Sequence, residues 1–307
     1  MLTRSKKLKG WEMKKLSIAV TSLAPLINQD HYGNFSKIMS GLWKKVNESD
    51  FIRIEKICRD KNLVISTDNF MKKIAVLEKK AGINKLISRQ VYSINAIQNK
   101  SSKVLELQQN KIAKNIDVLQ QLSDKEKQEL KYLVNSATNT RFGISNESKG
   151  IDIFTQETGK IIESSQGRQV LTFHTDDING YIFEFVGKCD GITSDNEVVE
   201  IKNRQKKLFG EVRDYEMCQI QTYLHMIKLN KAYLVEVLPG NTASTTTHNI
   251  IEIAKEPDYF TQNVNPYIKK IVSFVTKLRS NEFTDDFKIK LMTGDDDKTC
   301  YQTYLNL

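Results

Sequence analysis

The chain has 307 residues, of which 39% are hydrophobic and 27% are charged. This balance excludes a disordered or fibrous protein, and the length predicts about two domains. No stretch reaches the roughly 18 apolar residues of a membrane span, so we expect no membrane association. The four cysteines stand far apart and form no CxxC pair. Their spacing excludes a zinc ribbon or a disulfide scaffold and predicts a reducing, intracellular location.

The net charge of +9 is divided unevenly along the chain. Residues 1–145 contain 27 Lys and Arg against 13 Asp and Glu, whereas residues 146–307 contain 19 against 24. A basic first part and an acidic second part predict that one part binds a polyanion and the other a cation. A lysine-rich solvated helical surface is the alternative explanation of the basic part.

The first apolar run covers residues 16–27 and follows Lys14 and Lys15. A basic pair before an apolar run is typical of a short export signal. Ser17, Thr21 and Pro25 interrupt the run, however, and no A-x-A site follows it. We therefore interpret the run as the first core segment and expect the protein not to be secreted, with export as the alternative.

Residues 35–135 repeat apolar side chains at spacings of three and four, which predicts a mainly helical region. Ser123 and Glu126 form a capping box that predicts a helix running to about Asn135. Another helix is predicted over 143–158, where Gly159 provides the stop. The basic helical region is assigned to residues 1–138.

Residues 139–307 show a different pattern. Strands are predicted over 169–174, 181–189, 198–203, 232–238 and 248–254, and helices over 211–229 and 258–279. Because helices and strands are mixed without a regular βαβ repeat, we predict an α/β domain whose mixed central sheet is flanked by helices.

Two short segments place carboxylates and an ammonium group close together. In the strand around Val199 and Ile201, Glu200 and Lys202 point to the opposite face, and Asp190 lies ten residues before Glu200. A hairpin of that length brings the Asp beside the Glu. Carboxylate oxygens are the ligands that Mg²⁺ and Mn²⁺ prefer. An amphipathic strand with a Glu and a Lys on its solvated face is the simpler explanation of E-x-K alone.

Polar residues on the flanking helices strengthen the first explanation. Glu147 lies near the predicted start of the helix before the strands, where an acid also complements the helix dipole. In the helix after Lys202, Gln219 and Tyr223 are spaced to share one face. Ordinary helix surface and one core aromatic residue would produce the same pattern. The ordered set is more specific than any one member.

That ordered set resembles the PD-(D/E)xK nuclease superfamily, and within it the lambda-exonuclease-like group of YqaJ-type viral recombinases. The similarity covers residues 139–240, about a third of the chain. The matching motifs are G-x-x-x-E (Gly143, Glu147), D-G (Asp190, Gly191), E-I-K (Glu200, Ile201, Lys202) and Q-x-Q (Gln219, Gln221). Lys188-Cys189 and Asn203-Arg204 depart from the residues common beside these motifs.

The resemblance implies a restriction-endonuclease-like core and a site for Mg²⁺, with Mn²⁺ as a substitute. Asp190, Glu200 and the Ile201 carbonyl would bind the metal, Glu147 would support it, and Lys202 would be the catalytic lysine. The substrate-contacting residues that it implies are Gln219, Gln221, Tyr223 and Arg141. The cysteine positions do not match those of related nucleases that hold an iron–sulfur cluster, so we expect none.

The function that these similarities imply is metal-dependent hydrolysis of DNA, as a 5′→3′ exonuclease on double-stranded DNA with ends in viral or phage recombination or replication. The basic region would then bind phosphates without reading sequence. Trp43 or Tyr92 would stack on a frayed base. The candidate lysines are Lys44, Lys45, Lys72, Lys73, Lys79 and Lys80.

Two other functions stay open. One is a structure-specific or restriction-like endonuclease of the same superfamily, and the other is a non-catalytic DNA-binding protein that keeps the fold. A single-strand annealing protein and a second copy of the chain are possible partners. The sequence leaves polarity, DNA against RNA, oligomeric state and the host compartment (cytoplasm, or nucleus for a virus) undecided.

Overall fold

A computed structural model describes residues 14–30, 34–97, 101–163, 168–176, 180–240 and 245–307. The helices are α1 (Phe35–Val46), α2 (Glu48–Asp60), α3 (Phe70–Lys80), α4 (Leu86–Ala96), α5 (Ser102–Asp117), α6 (Asp124–Thr158), α7 (Asp214–Ile227), α8 (Asn265–Arg279), α9 (Asp285–Thr293) and α10 (Asp297–Leu305). The strands are β1 (Lys14–Ala19), β2 (Ile162–Glu163), β3 (Gln169–Asp176), β4 (Tyr181–Gly187), β5 (Gly191–Thr193), β6 (Val198–Asn203), β7 (Lys231–Leu238) and β8 (Thr247–Ala254).

The strands form two mixed sheets flanked by helices, which confirms the predicted α/β class. One sheet has the order β1-β4-β3, with β1 and β4 parallel. The other has the order β2-β5-β6-β7-β8, with β6 and β7 parallel and the remaining pairs antiparallel. Helix α6 packs on one face of β6, while α7 contacts β6 and β7 as well. The sheet of β6 therefore lies between two helices.

Helix α6 is one continuous helix of 35 residues and not the two separate helices that the sequence predicted. The predicted capping box of Ser123 and Glu126 begins it, and Gly159 ends it at a φ of 69°. No proline interrupts residues 124–158. Buried side chains such as Phe142 and Phe154 keep the middle helical, although this stretch has weak helix formers.

Three buried clusters hold the fold together. The largest joins β1, α1 and α2 to β4, α7 and α8–α10. A second lies among α3–α6, and a third lies between α6 and the strands β6 and β7. The first apolar run is thus a core segment, since Leu16 and Ile18 are buried. The predicted boundary after residue 138 lies within α6, and the division into independently folding units stays a prediction.

The end of the chain is more helical than the sequence indicated. A short π-helical turn over Phe260–Val264 leads into α8, so the closing helix predicted over 258–279 begins irregularly. Helices α9 and α10 follow it, and the Asp296 side chain accepts a hydrogen bond from the Thr299 N–H at the start of α10. Within the described ranges, no helix combines the length and apolarity needed to cross a bilayer.

Candidate active site

Strand β6 presents opposite chemistry on its two faces. Val199 and Ile201 are buried in the cluster against α6, with Phe154 and Tyr233 as neighbours. Glu200 and Lys202 alternate with them and point toward α7. Strand geometry alone accounts for this separation, because successive side chains point to opposite faces. The predicted face assignment of β6 is therefore confirmed.

Asp190 lies where β5 and β6 stop pairing. The antiparallel ladder pairs Gly191 with Val199, and two residues further along β6 the Ile201 N–H donates instead to the Asp190 carboxylate at 2.7 Å. The N–H and C=O of a strand residue point to the same side. The Ile201 carbonyl therefore also points into the gap that opens between β5 and β6 beside Asp190, as a metal-ligand role for it requires. We call this gap the carboxylate fork.

Glu200 is 4% exposed, and its two carboxylate oxygens have different surroundings. One oxygen accepts hydrogen bonds from the Lys202 ammonium and from the Gln219 amide, both at 2.7 Å. The other oxygen, Oε2, is buried and has no hydrogen-bond partner among the described residues. Burial, together with the charge of Asp190, raises the pKa of Glu200 to about 7.

Lys202 and Gln219 complete a three-sided contact with this carboxylate. The Lys202 ammonium also donates to the Gln219 side-chain oxygen at 3.0 Å. Burial alone would lower the pKa of Lys202, but the adjacent Glu200 and Asp190 raise it above its ordinary value. Lys202 therefore enters the site as a fixed positive charge.

Tyr223 lies one helical turn after Gln219 and connects α7 to the segment before Asp190. Its hydroxyl donates to the Lys188 carbonyl at 3.0 Å, and the Gln219 amide approaches the same hydroxyl at 3.5 Å. Tyr223 is 2% exposed. It therefore positions the Asp190 segment and is too buried to be a substrate contact on the surface.

Glu147 reaches the site from the middle of α6, so the predicted explanation as a first-turn acid is wrong. Burial and then the charge of Asp190 raise the pKa of Glu147. Burial likewise raises the pKa of Asp190, while the Lys188 ammonium opposes both shifts. The carboxylates of Glu147 and Asp190 and the exposed ammonium of Lys188 therefore interact electrostatically at the solvent-facing end of the fork.

Neither Gln221 nor Arg141, both predicted substrate contacts, has a hydrogen bond or ion pair to these carboxylates among the described residues. The Gln221 amide donates to the Ala254 carbonyl and its oxygen accepts from the Glu256 N–H, both at 2.9 Å. These bonds tie α7 to the end of β8 and leave Gln221 a structural role. Arg141 is exposed on α6 six residues before Glu147. Of the predicted set, the structure brings together Asp190, Glu200, Lys202, Gln219, Tyr223 and Glu147.

Some of the predicted nucleic-acid contacts in the helical region are exposed, and others are buried. Trp43 is completely buried, so its predicted role in base stacking is wrong, whereas Tyr92 is 62% exposed. Lys73 is only 9% exposed. The lysines that are exposed, as the prediction requires, are Lys44, Lys45, Lys72, Lys79 and Lys80.

A buried ion cluster beside the site is the feature that the sequence analysis missed. The Arg204 guanidinium lies 2.8 Å from Glu216 on α7 and 2.7 Å from Glu236 on β7, and both glutamates are 0% exposed. Glu236 also accepts the N–H groups of Phe209 and Gly210. Arg204 therefore fixes the end of β6 against the helix that carries Gln219. The signal in the sequence that could have indicated this role is the position of Arg204, two residues after the E-I-K motif.

The donor set fits a hard divalent cation. Asp190, Glu200 and the Ile201 carbonyl supply oxygen atoms, and the unpartnered Glu200 Oε2 needs a donor or a cation to compensate its burial. Within the described part of the chain, no three His, Cys, Asp or Glu side chains lie close enough to form a metal cluster by themselves. Water and substrate oxygens would have to complete the coordination, as is usual for Mg²⁺.

Comparisons with known proteins identify only weak structural likenesses. No protein-family profile matches the sequence, and no curated protein is similar to it. Solved structures that resemble the chain include an alkaline exonuclease (LHK-Exo) from Laribacter hongkongensis, at 14% identity and a TM-score of 0.35, covering 52% of this chain and 84% of that chain. The same exonuclease in complex with dAMP gives 14% identity, a TM-score of 0.30 and coverages of 62% and 93%.

A phage related exonuclease from Haemophilus somnus 129PT gives 13% identity and a TM-score of 0.31, covering 46% of this chain and 69% of that one. The neighbours are thus alkaline and phage-related exonucleases at low similarity. TM-scores this low carry no argument about activity, which has to come from the site itself.

Proposed function

We propose that the chain is a divalent-metal-dependent deoxyribonuclease of the lambda-exonuclease-like group, which degrades double-stranded DNA from an end in the 5′→3′ direction. The observation that carries the proposal is the arrangement of Asp190, Glu200 and Lys202 around one fork, with Glu200 Oε2 buried and unpartnered. The basic composition of residues 1–145 supports a polyanionic substrate.

Each side chain has a defined task in the proposed hydrolysis. Asp190, Glu200 and the Ile201 carbonyl would hold Mg²⁺ or Mn²⁺, which polarises a phosphodiester and lowers the pKa of bound water. Lys202 orients the attacking water and stabilises the charge that develops on the phosphate. Gln219 forms hydrogen bonds with both Lys202 and Glu200 and holds the two side chains in position. Glu147, whose pKa is raised by burial and by the charge of Asp190, would support the metal or a water bound to it.

The reaction adds the oxygen of water to phosphorus and breaks the bond between phosphorus and the 3′ oxygen. The leaving 3′ oxygen takes up a proton, so each turn releases a nucleoside 5′-phosphate. The exposed Lys188 lies at the mouth of the fork, where its positive charge favours an incoming phosphate. A single-strand annealing protein and further copies of the chain are the partners that this activity would use inside a cell.

The test is digestion of end-labelled linear duplex and covalently closed circular DNA with Mg²⁺. Wild type should degrade the linear DNA and leave circles intact, releasing the 5′ label first. Glu200→Gln should lose at least about a hundredfold in rate, since it removes a charged ligand from the reaction centre. Glu197→Gln is the matched control, because Glu197 is a buried acid of the same hairpin that binds Lys160 and Lys231 instead.

The outcomes separate the alternatives. Cut circles would assign an endonuclease, and release of the 3′ label first would reverse the polarity. Binding of DNA without cleavage in Mg²⁺ or Mn²⁺, and without a difference between wild type and Glu200→Gln, would refute the proposal and leave a DNA-binding protein.

A further inference from the structure

A second cavity, separate from the carboxylate fork, has the properties of a phosphate site. It has a volume of about 510 Å³ and lies among β1, α1, α3 and α6. We define it by Lys73 and call it the Lys73 cavity. Its size is in the usual range for sites that bind small organic ligands. The lysines that line it are Lys37, Lys45 and Lys73.

Lys73 is the unusual residue of this cavity. It is 9% exposed, and its ammonium forms no hydrogen bond or ion pair within the part of the chain that the structure describes. A lysine side chain that is buried to this extent and has no anionic partner destabilises the fold. Burial and then the charge of Lys37 lower the pKa of Lys73, and Asp68 and Glu129 oppose this only from a distance. An anion in the cavity would supply the missing counter-charge.

The surroundings of Lys73 favour a negative ligand. Arg59 already binds both carboxylate oxygens of Asp68, at 2.6 and 2.8 Å, so the negative charge of Asp68 is largely compensated by the guanidinium. Asp30 is the other acid in the lining. The first turns of α1 and α3 line the cavity and contain no acidic residue. Helix N-termini attract anions, which adds to the three lysines.

The cavity also offers groups that suit the rest of a nucleotide. The hydroxyl residues Thr21 and Ser22 lie on one side, and the aromatic residues Phe70 and Tyr132 on another. The Lys37 ammonium lies 5.9 Å from the centre of the Phe70 ring. Tyr132 is 61% exposed and able to stack on a base. Phosphate beside an aromatic surface is the chemistry of a nucleotide unit.

The position of the cavity connects it to the edge that carries the carboxylates. Thr21 follows β1, and β1 runs parallel to β4 with Ala19 opposite Val186. Parallel strands end at the same edge of a sheet, and Asp190 follows β4 at that edge. The Thr21 side of the cavity and Asp190 therefore lie toward the same edge of this sheet.

We propose that the Lys73 cavity binds a nucleotide unit through its phosphate, either within a DNA strand or as a free nucleotide. Binding at this cavity depends on the residues that line it and does not require the carboxylate fork to be catalytic. Lys73 is then a ligand-binding residue whose uncompensated charge destabilises the protein when no ligand is bound.

The experiment measures binding of a fluorescein-labelled DNA duplex by anisotropy in EDTA, so that hydrolysis and its possible absence have no influence. Lys73→Met should weaken binding by about tenfold or more, equivalent to about 1.4 kcal/mol. It should also reduce the slope of log K against log salt by about one. Lys56→Met is the matched control, since Lys56 is an exposed lysine of α2 that does not line the cavity and is not one of the candidate DNA-contacting lysines.

A second variant blocks the cavity and leaves all charges in place. Gly41 of α1 lines the cavity, and a Cβ added there meets no atom within 4 Å. Gly41→Leu should therefore fold and should weaken duplex binding as much as Lys73→Met. Thermal unfolding distinguishes a binding role from a structural one, because Lys73→Met should unfold at the same or a higher temperature than wild type.

Calorimetry with dAMP identifies the source of the phosphate. Binding of dAMP that Lys73→Met abolishes assigns a free-nucleotide site, whereas duplex binding without dAMP binding assigns a strand site. Equal affinities of Lys73→Met and Lys56→Met for the duplex would overturn the proposal, as would wild-type binding by Gly41→Leu. A lower unfolding temperature for Lys73→Met would make the lysine structural and overturn it too.

Discussion

Arg204 provides the sharpest test of how the site is held together. We expect Arg204→Met to destabilise the protein strongly, because it removes the cation between Glu216 and Glu236 and leaves two carboxylates at 0% exposure. Removing one partner from a buried ion pair costs about 3–5 kcal/mol. With an unfolding entropy of about 2.1 cal/mol/K per residue, this corresponds to a fall of about 5–8 °C in the unfolding temperature.

Arg213→Met is the matched control. The Arg213 guanidinium lies 4.3 Å from the centre of the Phe209 ring, slightly closer than that of Arg204 at 4.4 Å. Its ion-pair partner is the exposed Glu211, however, and such pairs contribute about 0–1 kcal/mol. Differential scanning calorimetry should therefore separate the two variants by several degrees. Equal unfolding temperatures would refute the assignment of Arg204 as the charge that fixes β6 to α7 and β7.

The pH dependence provides a second readout for the same variant. Burial would raise the pKa of Glu236, but the N–H groups of Gly210 and Phe209 and the charge of Arg204 hold it below its ordinary value. This carboxylate therefore stabilises wild type above its unfolded pKa, and the contribution is lost as pH falls through the lowered folded pKa. Without Arg204 the folded pKa rises, so the deficit of Arg204→Met should shrink toward acidic pH. A deficit that is constant with pH would contradict the electrostatic explanation.

Two further pairs of variants test the site and its support. Gln219→Leu should reduce DNA cleavage by about tenfold with little change in unfolding temperature, because it removes the contacts to Lys202 and Glu200. Gln221→Leu should leave cleavage nearly unchanged but cost about 1–3 kcal/mol of stability, because the Ala254 carbonyl and the Glu256 N–H lose their partners. Equal cleavage rates for the two variants would contradict the assignment of Gln219 to the site and Gln221 to structure. Gly150→Ala should destabilise by about 1–2 kcal/mol, since the new Cβ would lie 2.4 Å from Ile201 Cγ2. Gly143→Ala on the same helix meets no atom within 4 Å and should stabilise by up to about 1 kcal/mol, as thermal unfolding of both variants would show.

Local patterns in the sequence were enough to predict the centre of the candidate site. Strand β6 was predicted with the bounds that the structure shows, Val198–Asn203, because apolar and charged side chains alternate along its centre. The short distance in sequence from Asp190 to Glu200 also limited where the Asp could lie. In the structure the two acids lie at the same fork, close enough for the charge of Asp190 to act on Glu200.

Contacts between distant segments could not be predicted in this way. Nothing in residues 14–19 indicates that β1 pairs with β4, because pairing depends on a partner far along the chain. The partners of Arg204 are likewise contributed by another helix and another strand. Trp43 and Lys73 looked like surface candidates by residue type, and only tertiary packing buries them.

The pairing of β1 with β4 also determines the order in which the protein is able to fold during its synthesis. Lys14 is opposite Tyr181, so the first strand leaves the ribosome long before its partner exists. At about 5–20 residues per second, the delay is about 10–30 s. The hydroxyl of Tyr304 then donates to the Leu26 carbonyl, which joins the last helix to the first segment. Leu16 and Ile18 therefore stay exposed to aggregation at least until β4 has been synthesised, and the core that buries them is complete only when the last helices have joined it.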